Sequence, residues 1–147
     1  SIENIDLLPE DMRNVFNTMV IEFDKAIEYC RTSAGFPPLK LQNFWINING
    51  PGAYHTLHNH QDSMLSGVFY IDIPLEGMGD LQFYRGDDAQ YYIPDNLSSY
   101  NTITSTMATY PPKPGMLVIF PSWVKHAVKQ NRTDAERIAI SFNYGAK

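Results

Sequence analysis

The sequence predicts a mainly β protein, a double-stranded β-helix of the jelly-roll or cupin-like kind with an N-terminal helix packed against it. Three observations predict it. A sustained helical period occurs only over residues 8–33; beyond it the chain breaks into about eight short aromatic and β-branched runs; and its ten prolines and nine glycines are spread along the chain rather than gathered in a linker. An aromatic share of 13% suits half-buried pleated strands.

The helix starts at Leu8-Pro9-Glu10-Asp11, and Met12, Val15, Phe16, Met19, Phe23, Ile27 and Cys30 recur mostly three or four apart. One face must therefore pack on something. Ser33-Ala34-Gly35 ends the period, and Pro37-Pro38 blocks its continuation. Strands are then expected at Leu41 to Asn49, Ala53 to His58, Leu65 to Ile73, Leu81 to Arg85, Met116 to Phe120, Ala127 to Gln130 and Arg137 to Tyr144. Gly50-Pro51-Gly52, Pro74-Leu75-Glu76-Gly77 and Lys113-Pro114-Gly115 are the clearest turns. Residues 86–112 are the least regular, with weak strand signals near Tyr91 to Ile93 and Ile103 to Thr109, and the part from Gly86 to Tyr110 reads as a substrate lid. At 147 residues the chain reads as a single domain, with 1–38 a helical support and 39–147 the barrel.

Composition narrows the function. A formal charge of −5 argues against a phosphate-binding surface, which needs clustered Lys and Arg, so nucleic acid is not an expected partner. The single cysteine, Cys30, excludes an internal disulfide and reads as a small helix residue, buried or half-buried. No apolar run approaches the roughly 18–20 residues that span a bilayer, and no basic-then-apolar leader precedes the helix. A cytoplasmic location follows as the expectation. The triplets Asn96-Leu97-Ser98 and Asn131-Arg132-Thr133 match a glycosylation pattern that means nothing without secretion.

Three of the four histidines fall within "GAYHTLHNHQDSMLSG", residues 52–67. Residues two apart share a strand face, so His58 and His60, and Asp62 if the strand continues, point one way. Imidazole nitrogen and carboxylate oxygen suit Fe(II), Mn(II), Ni(II) or Zn(II), and a third ligand from elsewhere completes a site. His126 is the remaining histidine; it closes "PGMLVIFPSWVKH", a Pro-Gly turn and an apolar strand that deliver it to a barrel mouth. His55, an odd number of positions from His58, belongs on the opposite face, at the surface or behind the ligands.

Taken together, "WININGPGAYHTLHNH", "SMLSGVFYIDIP", "PGMLVIFPSWVKHAV" and "ERIAISFNYG" resemble the Fe(II)- and 2-oxoglutarate-dependent oxygenases, in particular a small group of them common in bacteria and their phages. The likeness covers roughly residues 41–145. It implies a barrel that binds Fe(II) through a His-x-Asp/Glu pair and a distant histidine, with a basic residue about ten positions later for the far carboxylate of 2-oxoglutarate. On this chain His126 takes the distant place and Arg137, eleven positions on, the carboxylate place. Ala139 stands where some relatives carry a serine, which leaves Tyr70 or Ser141 to assist Arg137. Ser141 and Asn143 share a strand face with Arg137 and are expected in the same pocket, with Trp45, Asn47 and Tyr70 shaping it. The first ligand pair has two readings: His60-Gln61-Asp62 is a literal His-x-Asp, whereas the upstream glycine and downstream "LSGVFY" favour His58-Asn59-His60.

The resemblance thus implies an oxygenase using Fe(II), 2-oxoglutarate and dioxygen on a peptide side chain or small molecule. The rival is a cupin-type thiol dioxygenase, isomerase or sensor without 2-oxoglutarate, since Gly52 with His58-x-His60, and Gly115 with Pro121 and His126, resemble both halves of that signature apart from its glutamate. Arg137 discriminates, because cupins do not require it. A metal-free interaction module on the same barrel is the third reading.

Overall fold

The computed structural model describes residues 9–94 and 96–146 and opens with helix α1, Glu10–Ala34. Leu8, the expected start, lies outside the described residues, as does the rest of 1–8. Glu10 and Asp11 place negative charge at the helix's positive end, and Gly35, at φ 72°, closes the other through bonds to the Thr32 and Arg31 carbonyls. Phe16, Phe23 and Ile27 are buried, and half-buried Cys30 packs beside them. Met12 and Val15, expected on the same stripe, stay exposed.

Eight strands follow among the described residues: β1 (Leu39–Asn49), β2 (His55–His58), β3 (Leu65–Asp72), β4 (Leu81–Tyr84), β5 (Met107–Tyr110), β6 (Leu117–Pro121), β7 (His126–Val128) and β8 (Arg137–Ala146). They form two four-stranded antiparallel sheets, ordered β1-β8-β3-β6 and β2-β7-β4-β5, the jelly-roll arrangement. The weak signal near Ile103 to Thr109 becomes β5, an exposed edge strand paired to β4, so the end of the supposed lid belongs to the barrel. The signal near Tyr91 to Ile93 becomes instead a 3₁₀ turn, Asp88–Tyr91, begun by the Asp87 carboxylate accepting from Ala89 N–H.

Alternation along β8 divides the interior. Ile140, Phe142 and Tyr144 join the α1 core, where Phe23 stacks on Phe142 at 4.5 Å and Phe16 meets Phe44 at 4.0 Å. Each buried side chain of this size stabilises by about 2 kcal/mol. Tyr144 also donates from its hydroxyl to Asp24 of α1 at 2.6 Å, which ties the helix to the sheet. The other face of β8, with Arg137, Ala139 and Ser141, lines a cavity between the two sheets.

Candidate metal and co-substrate site

The β2–β7 ladder places His58 directly opposite His126. β2 ends at His58, so the same-face argument from strand period does not reach His60 or Asp62. His60 is placed instead by its backbone N–H, which donates to Ser122 O at 2.9 Å. The three imidazoles converge, with ligand nitrogens all within 4.8 Å of one another. Asp62 lies in the following turn at φ 65°, exposed, and its carboxylate is outside this group.

The ring nitrogens suit a cation. His58 Nδ1 lies 2.7 Å from Thr56 O and His126 Nδ1 lies 2.9 Å from Val124 O. A carbonyl only accepts, so each Nδ1 carries the proton and each Nε2 presents a lone pair. His60 Nε2 faces His126 Nε2 at 3.2 Å, a position where a proton or a metal ion must mediate. Burial against Phe120 and Phe83 lowers the pKa of His126 to about 4, and burial also lowers that of His60, so both rings are neutral at pH 7.

The same cavity, about 560 Å³ with its open mouth included, is lined by Trp45, Asn47, Tyr70, Arg137 and Ser141 as well as the histidines. Arg137 is 4% exposed. Its Nη1 donates to Met78 O at 3.2 Å and Gly79 O at 2.8 Å, its Nε has no partner among the described residues, and its Cζ stands 5.9 Å from the Tyr70 ring centroid. Among the described residues no carboxylate forms an ion pair with it. A buried guanidinium in that condition is costly unless an anion joins it, and a planar carboxylate matches its fork. Asn47 Nδ2 donates to Ser141 Oγ at 2.9 Å, leaving the serine hydroxyl hydrogen free to donate onward, and the Trp45 ring packs 5.9 Å from that of His60.

Two expectations need correction. Asn143 does not line the cavity: it is buried, with its Nδ2 donating to Asn43 Oδ1 and its Oδ1 accepting from Ser66 Oγ, which also bonds Ser122. Its amide is engaged in that polar core. His55 does line the cavity, although strand period placed it opposite His58. The cause is a register shift: His55 pairs with Val128 and His58 with His126, so one extra residue on β2 inverts the parity between them. Neither Asn49, which bonds His55, nor the Met78 and Gly79 carbonyls carried any signal in the sequence pattern.

A family model described as "Putative 2OG-Fe(II) oxygenase" matches residues 43–143. The chain belongs to this oxygenase family. No curated protein matches it by sequence. Among solved structures, SnoN, the non-haem α-ketoglutarate-dependent epimerase from nogalamycin biosynthesis, is similar at TM-score 0.68 and 17% identity over 99% of this chain and 60% of its own. HygX from Streptomyces hygroscopicus, with nickel and 2-oxoglutarate bound, is similar at 0.54 and 13% over 76% and 59%. A Pseudomonas putida prolyl-4-hydroxylase is similar at 0.52 and 23% over 73% and 54%. This family member therefore shares its fold with larger proteins, spanning 54–60% of the length of these three.

Proposed function

We propose that the chain is a non-haem Fe(II)- and 2-oxoglutarate-dependent oxygenase that hydroxylates a peptide side chain, as a prolyl hydroxylase does, or a small molecule, and that it works in the cytoplasm. One observation carries the reading: a single cavity is lined by three converging imidazoles and by a buried guanidinium without an acidic partner among the described residues. A cupin needs the first feature and has no use for the second.

His58, His60 and His126 would hold Fe(II), the Thr56 and Val124 carbonyls keeping two of the rings in the ligating tautomer. Bound there, Fe(II) supplies oxidising chemistry in which dioxygen and 2-oxoglutarate yield succinate and carbon dioxide while a substrate C–H becomes C–OH. Arg137 would pair with the far carboxylate of 2-oxoglutarate, assisted by Tyr70 and by the Ser141 hydroxyl that Asn47 orients. Trp45, packed beside His60, excludes water from one wall. The segment between β4 and β5 exposes Tyr91 and Tyr92, and it is the part of the chain offered to substrate. A prolyl-4-hydroxylase among the proteins that share the fold makes a prolyl side chain one candidate substrate.

The test is anaerobic addition of Fe(II) and then 2-oxoglutarate, with a weak visible charge-transfer band expected. Arg137→Ala should abolish co-substrate affinity and His126→Ala should abolish iron binding. Full 2-oxoglutarate affinity in the first variant, or normal iron binding in the second, would overturn the assignment.

A further inference from the structure

We infer that His55, oriented by Asn49, is a specificity-determining residue that donates a hydrogen bond to the far carboxylate of the 2-oxo diacid beside Arg137. The inference rests on the 2-oxoglutarate reading of this cavity and adds to it a residue that strand period assigns to the wrong face.

Three observations converge on His55. The shift in β2 register turns its ring inward, so that it lines the cavity together with Arg137 and Tyr70. Its Nε2 lies 3.1 Å from Asn49 Nδ2. An amide NH₂ only donates, so Nε2 accepts and Nδ1 carries the ring proton. No hydrogen bond among the described residues engages that Nδ1–H. Asn49 is itself buried and stands opposite Arg137 in the β1–β8 register, which brings the amide that orients the ring to the same end of the sheet as the guanidinium.

Arg137 leaves room for such a donor. Its Nη1 is engaged by two backbone carbonyls, and the position two residues along its strand is Ala139, which has no hydroxyl to offer. A carboxylate has two oxygens and about four lone-pair directions to satisfy beside a guanidinium that is itself buried. A neutral imidazole N–H supplies one of those bonds without placing a second positive charge beside Arg137. Burial and the Arg137 charge both lower the His55 pKa, in keeping with a neutral donor.

The experiment compares two ligands that differ only at the far end: 2-oxoglutarate, and 2-oxopentanoate, which keeps the keto acid and lacks the second carboxylate. Dissociation constants for both are measured by calorimetry on Ni(II)-loaded protein. The wild type should prefer 2-oxoglutarate strongly; His55→Leu should lower that preference at least tenfold while leaving 2-oxopentanoate affinity within about twofold; and His55→Gln, which keeps an N–H donor, should restore most of it. Asn49→Ala tests the same point without touching the ring and should lower the preference severalfold. A preference unchanged in His55→Leu and Asn49→Ala, or an equal loss for both ligands, overturns the role of His55 while leaving the oxygenase reading standing. A wild type that binds both ligands alike overturns that reading itself, and the inference with it.

Discussion

Replacing Gly79 by alanine tests whether backbone carbonyls position the buried guanidinium. Gly79 lies at φ 94°, and a Cβ added there would stand 2.2 Å from Lys129 O and 3.4 Å from Arg137 Nη1. The nearer atom is backbone and cannot swing aside as a side-chain end would. Lys129 N–H also donates to Asp80 O at 2.9 Å, so relieving the clash pulls apart the two segments that this bond joins. Forcing a side chain into that backbone region costs about 1–3 kcal/mol. Weakening the Lys129–Asp80 bond costs about 1 kcal/mol, and displacing Gly79 O from a charged donor about 1.5–3 kcal/mol. Urea denaturation of the metal-free chain should therefore show a loss of roughly 3.5–7 kcal/mol, the large kind of loss that backbone strain and broken buried networks produce. Because the displaced carbonyl holds Arg137 in place, the dissociation constant for 2-oxoglutarate should also rise tenfold or more in the Ni(II)-loaded protein, measured under conditions where the variant is folded. Gly86→Ala is the control: its added Cβ meets nothing within 4 Å among the described residues, and stability should hold within about 0.5 kcal/mol. A Gly79→Ala protein that loses less than about 1 kcal/mol, or that loses stability yet binds 2-oxoglutarate as before, would refute the reasoning.

Three further outcomes are expected. The His126 pKa falls to about 4 on folding from an unfolded value near 6.5, so the unfolded chain binds more protons between these limits; stability is fully present above about pH 6.5 and is lost as pH falls toward 4, by roughly 2–3 kcal/mol. Urea midpoints of metal-free protein at pH 7 and 4.5 should show this, His126→Asn should flatten most of it, and an equally steep variant would exclude His126 as the cause. Asn131 is 1% exposed and donates to Asn49 O, Gly50 O and Ala135 O while accepting from Thr133, so Asn131→Ala should cost roughly 2–4 kcal/mol by thermal or urea unfolding. Tyr144→Phe removes the hydroxyl donor to Asp24 and should cost about 1–3 kcal/mol, with unchanged stability excluding that bond as a tie between helix and sheet.

Asn131 also shows how a motif and its setting part company, since the triplet that matches a glycosylation pattern places its asparagine in the protein interior, where five hydrogen bonds already occupy the amide. Much else was legible along the chain. The helix and the order of most strands follow from local periodicity, because hydrophobic spacing is a property of neighbouring residues, whereas it was the resemblance to the oxygenases that joined His58, His60, His126 and Arg137 into one group. What tertiary structure decided is of another kind. β2 stops at His58, and a backbone bond to Ser122 then sets His60, leaving Asp62 outside the histidine cluster. A single extra residue in the β2–β7 ladder turns His55 inward, and the contacts of Ser66 and Asn43 draw Asn143 away from the cavity wall. Each outcome depends on hydrogen bonds to a strand or loop distant in sequence, and strand register is a property of the pair rather than of either partner.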